Sequence, residues 1–289
     1  MELFYATAKD GTRLACWDFG GNGRPVVMLH GTGLHGRCWA PVAKALGDGF
    51  RPLALDMRGH GASGRSPDGS YVWDRFATDT LTVLDQLGLS GATGLIGAGH
   101  SAGATALLLA EAGRPNSFSC LWAWEPIMAI PGSELTVRNS AALASRARRR
   151  RADFATIGEA REYFDGRGQF TGFAPESLEA FLDGAFIVGP DGNLRLACDP
   201  EDEARMYEEA LVHSAWEDLP KVGAPARLLG GELSTAVPPD DLVPILTRLP
   251  LGEMNAVPSL GHFGPFEAPP LIAADIAAWA ARAAPDRDQ

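Results

Sequence analysis

The sequence contains no apolar run near the roughly 18 to 20 residues that a helix needs to cross a bilayer, which excludes a helical membrane protein. Its opening residues, Met1-Glu2-Leu3-Phe4-Tyr5, have neither the basic region nor the apolar core of a secretory leader, so the cytoplasm is the default location. Cysteine is sparse. Cys16, Cys38, Cys120 and Cys198 are scattered without Cys-x-x-Cys spacing, each in or beside an apolar stretch, and read as buried free thiols rather than disulfides or a zinc site. The six histidines show no His-x-x-x-His spacing either, and neither a metal nor a cofactor is expected. Positive charge is short: 25 lysines and arginines stand against 36 aspartates and glutamates, a formal net charge of −11. A nucleic-acid-binding face is normally basic, so the expected partner is a small-molecule substrate, not nucleic acid or a membrane. The oligomeric state is left open.

What is present suits one large core. The 289 residues are 46% hydrophobic, ordinary for one globular domain, with or without an insertion. Residues 4–8 and 13–19 predict two strands joined through Lys9-Asp10-Gly11-Thr12, because Asp-Gly between extended runs signals a hairpin. Residues 25–29 form a short, wholly apolar run, the pattern of a strand covered on both faces. A helix over 39–46 and a strand over 51–55 follow. Trp73, Phe76, Ala77, Leu81, Leu84 and Leu87 line one helical face. Residues 93–98 read as a buried strand, 104–112 as a helix and 118–124 as another strand. The alternation then breaks. Between residues 127 and 217 helices are expected over 135–152, 159–164, 175–186 and 200–212, with no buried strand. Strands at 226–229 and 253–257 and helices at 240–249 and 269–284 resume the pattern. Repeated strand–helix units predict an α/β fold, a mainly parallel sheet with helices on both faces, built from residues 1–126 and 218–289. Residues 127–217 read as an inserted helical lid.

The most informative segment is Gly99-His100-Ser101-Ala102-Gly103. In a chain with 34 glycines the pentapeptide alone could be a Gly/Ser-rich turn. Its place between a strand and a helix makes it a nucleophile elbow, a turn so tight that only glycine permits the approach of strand to helix. A serine hydroxyl needs a base to become a nucleophile. His262, in Ser259-Leu260-Gly261-His262-Phe263, follows the last strand, and catalytic groups in open α/β sheets gather at the carboxyl ends of strands. A lone histidine elsewhere would be structural. The oxyanion of an acyl-transfer intermediate needs fixed N–H donors. The Ala102 N–H at the helix start is one. The loop His30-Gly31-Thr32-Gly33, directly after residues 25–29, offers Thr32 as the other, unless its glycines only make a turn.

Together with Asp56-Met57-Arg58-Gly59-His60-Gly61-Ala62-Ser63, these segments resemble the α/β-hydrolase fold superfamily over nearly the whole chain. In that family the Arg-Gly-His-Gly segment is a structural loop, so no chemistry is assigned to Arg58 or His60. One departure matters. In much of the superfamily the triad acid is an aspartate after the penultimate strand, in a Gly-x-x-Asp pattern. Here the stretch reads Gly231-Glu232-Leu233-Ser234, and a serine cannot stabilise an imidazolium as a carboxylate does. The other known position ends the strand before the lid, in Trp122-Ala123-Trp124-Glu125-Pro126. A glutamate ending an apolar strand is a costly place for an unpaired charge. Some haloalkane dehalogenases and lactone hydrolases of this fold use a glutamate there. Glu125 is therefore the expected acid. A carboxylate satisfied only by backbone amides, or acid duty for Glu232, Asp240 or Asp241, stays open.

Serine at position 101 excludes the aspartate-dependent haloalkane dehalogenases and epoxide hydrolases. Esters, thioesters, lactones and amides remain, and the resemblance implies a serine esterase or lactonase. Trp39, Trp124 and Phe263 lie in or beside the catalytic segments as candidate walls of an apolar substrate pocket, with core packing the alternative for each. Arg146, Arg148, Arg149, Arg150 and Arg151 form a basic run inside the lid, either a solvated face or an attraction for an anionic substrate or acidic partner. The competing reading is non-hydrolytic: a ligand-binding receptor, or a cofactor-free lyase or oxygenase with His262 as base. The displaced acid is the feature that favours it.

Overall fold

The Asp-Gly turn joins two antiparallel strands, β1 (Glu2–Thr7) and β2 (Arg13–Asp18), paired from Glu2↔Asp18 to Thr7↔Arg13. The computed structural model describes residues 1–131 and 134–284, without the side chains of 134–139. After β3 (Arg24–Leu29) come α1 (Ala40–Leu46), β4 (Phe50–Asp56), α2 (Trp73–Gln86), β5 (Ile96–His100), α3 (Ala102–Gly113) and β6 (Cys120–Trp124). The segment after β6 holds α4 (Glu134–Arg148), β7 (Asp153–Phe154), α5 (Ile157–Phe164), α6 (Pro175–Gly184), β8 (Phe186–Val188), β9 (Leu194–Leu196) and α7 (Pro200–Glu208). Then α8 (Ala215–Asp218), β10 (Ala226–Gly231), α9 (Pro239–Leu246), β11 (Gly252–Val257), α10 (Gly264–Glu267) and α11 (Pro269–Ala283) complete the chain. No helix among the described residues is long and apolar enough to cross a membrane.

The main sheet has the order β1-β2-β4-β3-β5-β6-β10-β11, antiparallel at β1/β2 and β2/β4 and parallel elsewhere. The α/β fold with a mainly parallel sheet, expected from the alternation, is therefore present. Side chains of successive strand residues point to opposite faces, and each face has its own core. Val27, Leu29, Leu121 and Ala123 join one cluster with residues of α2 and α3. Val26, Met28, Trp122 and Trp124 join the other with α1 and α11. Burial on both faces is why β3, β5 and β6 read as unbroken apolar runs. Chain order reverses between β3 and β5, which lie side by side in the sheet. Their carboxyl ends form the crevice where α/β sheets hold their ligands.

The segment between β6 and α8, expected as an inserted helical lid, is not wholly helical. β7, β9 and β8 form a small antiparallel sheet of two- and three-residue strands. Ile187 and Val188 in it are 55% and 73% exposed, so neither length nor a buried pattern could reveal these strands in the sequence. The expected helix over 135–152 also stops early, at Arg148. Phe164, Phe170 and Phe181 make the segment's aromatic centre, with Phe170 and Phe181 4.5 Å apart between ring centroids. Phe173 extends this packing to the residues after β11, 5.8 Å from the Phe263 ring and 5.4 Å from that of Phe266.

Candidate active site

Ser101 stands at the tip of the turn from β5 into α3, at φ +54° and ψ −120°. A non-glycine residue in that region is strained, and the strain persists only where the surroundings over-determine it. Here they do. The Ser101 N–H donates to the Trp124 carbonyl at 2.8 Å, and its carbonyl accepts from the Thr105 N–H at 3.1 Å. The neighbouring glycines are a steric requirement: a Cβ at Gly99 would lie 2.6 Å from the Ala104 nitrogen, and one at Gly103 would sit on the Leu29 carbonyl oxygen. Ser101 keeps 9% of its surface exposed.

The loop after β11 carries His262, whose ring lies 4.8 Å from that of His100, the residue before Ser101. The His262 carbonyl accepts from Trp124 Nε1 at 2.9 Å and from His100 Nε2 at 3.0 Å, which ties the loop to the ends of β6 and β5. Its ring Nδ1 lies 2.6 Å from Oε2 of Glu125. Glu125 directly follows β6, at φ +46°, and is fully buried. A carboxylate so placed must be satisfied by donors or be strongly destabilising. Three donors meet it: His262 Nδ1–H and the Ser234 hydroxyl, at 2.7 Å, on Oε2, and the Gly231 N–H, at 2.9 Å, on Oε1. Glu125 thus closes on His262 from the strand before the insertion, while Glu232, Asp240 and Asp241 are exposed. Gly261 in the histidine loop donates its N–H to Glu267 Oε2 at 2.8 Å, and burial pushes that carboxyl above its ordinary range.

The loop after β3 packs directly on the serine. A Cβ at Gly31 would lie 3.1 Å from the Ser101 Cβ, so glycine is what lets the backbone come this close. Two buried histidines hold the loop. The Gly33 N–H donates to His60 Nε2 at 3.0 Å, and His30 Nδ1 bonds the Gly31 carbonyl at 2.8 Å while its Nε2 accepts from the Met57 N–H at 3.0 Å. Both rings must be neutral to accept an N–H at Nε2. Burial provides this, lowering His60 to about 4 and His30 well below the usual histidine value. The Thr32 N–H makes no hydrogen bond among the described residues, and the Ala102 N–H heads α3, where no intrahelical acceptor exists. Arg58 has the structural place the resemblance implied: it grips Asp79 at 2.7 and 2.8 Å and Asp10 at 2.7 Å.

The aromatic residues singled out from the sequence are packed rather than open. Trp39 and Trp124 are fully buried, and Trp39 meets Phe266 at 5.4 Å. Phe263 is part-buried between the His100 ring, 5.5 Å away, and Phe173 of the insertion. A small cavity lies between the loop after β3 and the insertion, walled by Gly33, Leu34, His35, Arg150, Phe181 and Cys198 among others; neither Ser101 nor His262 lines it. The basic run divides. Arg148 pairs with Glu201 and Glu208 at the surface and Arg151 with Glu159, whereas Arg150 turns inward to the fully buried Glu203, 2.9 Å away and against Gly33. Sequence reasoning missed the hydroxyl of Ser234, the imidazole of His60 and the ring of Phe173. Only Ser234 gave a signal, as the residue in the acid's usual place.

This assembly of elbow serine, histidine loop and glycine loop coincides with a family profile. The profile of the alpha/beta hydrolase family matches residues 26–275. The chain belongs to the alpha/beta hydrolase family. Among curated proteins, the chain is 43% identical over 88 residues to a non-heme chloroperoxidase of Kitasatospora aureofaciens, covering 30% of this chain and 31% of that one. It is 37% identical over 114 residues to a bifunctional esterase/perhydrolase of Acinetobacter calcoaceticus, covering 39% and 40%. The chain therefore spans less than half the length of these curated relatives. The crystal structure of E-2-(acetamidomethylene)succinate hydrolase shares the fold over 96% of this chain and 98% of its own, with a TM-score of 0.81 and 22% identity.

Proposed function

We propose that this alpha/beta hydrolase is a serine hydrolase that cleaves an ester, lactone or thioester bond of a small to medium apolar substrate through an acyl-enzyme on Ser101. The supporting observation is the 2.6 Å contact between the buried Glu125 carboxylate and Nδ1 of His262. With Nδ1–H given to Glu125, Nε2 is the ring nitrogen that carries the lone pair, the form a general base requires. His262 Nε2 takes the Ser101 proton as Oγ attacks the acyl carbon. The negative oxygen that forms is met by the Thr32 and Ala102 N–H groups, each contributing about 3 to 4 kcal/mol in the transition state. Expulsion of the leaving group takes the proton back from His262. Water, deprotonated by the same nitrogen, then releases the acid and restores Ser101. The Acinetobacter relative is an esterase/perhydrolase, which fits this chemistry. The contact between Glu125 and His262 supports this reading over a non-hydrolytic one, which rested on the displaced acid. The insertion, docked on the histidine loop through Phe173, is the element that sets substrate choice.

A fluorophosphonate probe together with a panel of p-nitrophenyl esters tests this. One covalent adduct is expected, on the peptide carrying Ser101, with both labelling and turnover lost in Ser101→Ala. Labelling at another residue, or undiminished turnover by that variant, overturns the proposal.

A further inference from the structure

We infer that Ser234 is a positioning residue, holding the Glu125 carboxylate toward His262 from the place where much of the superfamily keeps its acid. The inference rests on the proposed roles of Ser101, His262 and Glu125 and adds a fourth residue to them. A serine hydroxyl has one proton and two acceptor sites. In Ser234, Oγ accepts from the N–H groups of Ala236 and Val237, each at 3.3 Å, which fills both acceptor sites. The proton is then left for Glu125 Oε2, 2.7 Å away, the same oxygen that faces His262 Nδ1. The turn carrying Ser234 is anchored by its own N–H on the Gly231 carbonyl at 3.0 Å and by the Leu233 N–H on the Leu260 carbonyl at 2.9 Å. Gly231, in the same turn, supplies the donor to Oε1. Two of the three donors on the carboxylate therefore come from one loop.

This matters because the last torsion of a glutamate side chain is soft and broad. Only hydrogen bonds fix the plane of the carboxylate, and so the line from Oε2 to the imidazole. At 7% exposure, Ser234 leaves little room for water to replace its hydroxyl. The position is also close enough to hold an acid itself. An aspartate there reaches one bond beyond a serine hydroxyl, into the space that Oε2 vacates when Glu125 is shortened.

Steady-state kinetics on the full-length protein test this in two arms. Ser234→Ala should lower kcat about tenfold, the loss of one hydrogen bond to a charged group, with KM unchanged. Ser234→Thr, which keeps the hydroxyl, should retain most of the rate. In the second arm Glu125→Ala lowers kcat by about three to four orders of magnitude, and the double variant Glu125→Ala/Ser234→Asp should regain at least about one order of it. Circular dichroism and thermal unfolding check that each variant is folded. Equal rates for the Ala and Thr variants, or no recovery in a folded double variant, overturn the inference. Proton NMR of the Nδ1–H of His262 reads the same role without turnover: the downfield resonance should move in Ser234→Ala and stay in Ser234→Thr. If the wild type neither labels nor turns over, the hydrolase reading fails, while an unmoved resonance is what refutes the role of Ser234.

Discussion

Replacing Glu125 by glutamine changes one oxygen for an NH2 group, and the surroundings admit neither orientation of the amide. Oε2 faces two donors, His262 Nδ1–H at 2.6 Å and the Ser234 hydroxyl at 2.7 Å, and Oε1 faces a third, the Gly231 N–H at 2.9 Å. With the NH2 in the Oε2 place, His262 must offer Nδ1 as an acceptor. The ring proton then sits on Nε2, where the base's lone pair is needed. With the NH2 in the Oε1 place, it opposes the Gly231 N–H and leaves a buried donor unpaired, at a cost of about 1 to 3 kcal/mol. Either way the negative charge that stabilises the imidazolium is gone. Loss of that charge with shape retained lowers kcat by about four orders of magnitude in a serine triad, equivalent to ~5.5 kcal/mol of transition-state stabilisation. Glu125→Gln should therefore cut kcat on a p-nitrophenyl ester by about 10³- to 10⁴-fold with KM nearly unchanged. The same exchange at the exposed Asp240 or Asp241, to asparagine, should leave kcat near the wild-type value. A Glu125→Gln enzyme with near-normal kcat, beside a dead Asp240→Asn or Asp241→Asn enzyme, would refute the reasoning and return the acid to the segment after β10.

Two further outcomes follow from the packing. Burial lowers His60 to about 4, so as pH falls below the ordinary histidine value the unfolded chain takes the proton before the native state does. Its contribution to stability is full above about pH 6.5 and falls by ~1.4 kcal/mol per pH unit down to about pH 4. His60→Gln cannot titrate, and urea unfolding between pH 4.5 and 7.5 should show a stability–pH slope shallower by that amount; an unchanged slope contradicts a neutral His60 accepting the Gly33 N–H. Phe173→Ala, which opens the contact between the insertion and the histidine loop, should change the kcat/KM ratio between a short and a long acyl ester by about tenfold. Equal effects on both esters would separate the insertion from substrate choice.

Much of this molecule is written in short stretches of its sequence, because short-range physics decides them. The runs behind β3, β5 and β6 are apolar on both faces, and that alone reports strands in the middle of a covered sheet. The elbow is five residues long, and its glycines are required by contacts with residues next to them in the chain or in the adjacent strand. Asp199 caps α7 by accepting from the Glu201 N–H at 2.9 Å, again within two residues. The rest depends on groups far apart in sequence, to which no periodicity refers. His262 and Glu125 are separated by 137 positions and Ser234 and Glu125 by 109, and only the parallel pairing of β6, β10 and β11 brings them together. From the sequence, serine at 234 reads as a missing acid; in the fold its hydroxyl donates to the carboxylate of Glu125. Five arginines between positions 146 and 151 look alike as a run. The helix end at Arg148 and the burial of Glu203 decide that Arg150 turns inward while Arg148 pairs at the surface. Side-chain direction and partner are properties of the packed state, since they are selected by the desolvation of groups that meet only after the chain has folded.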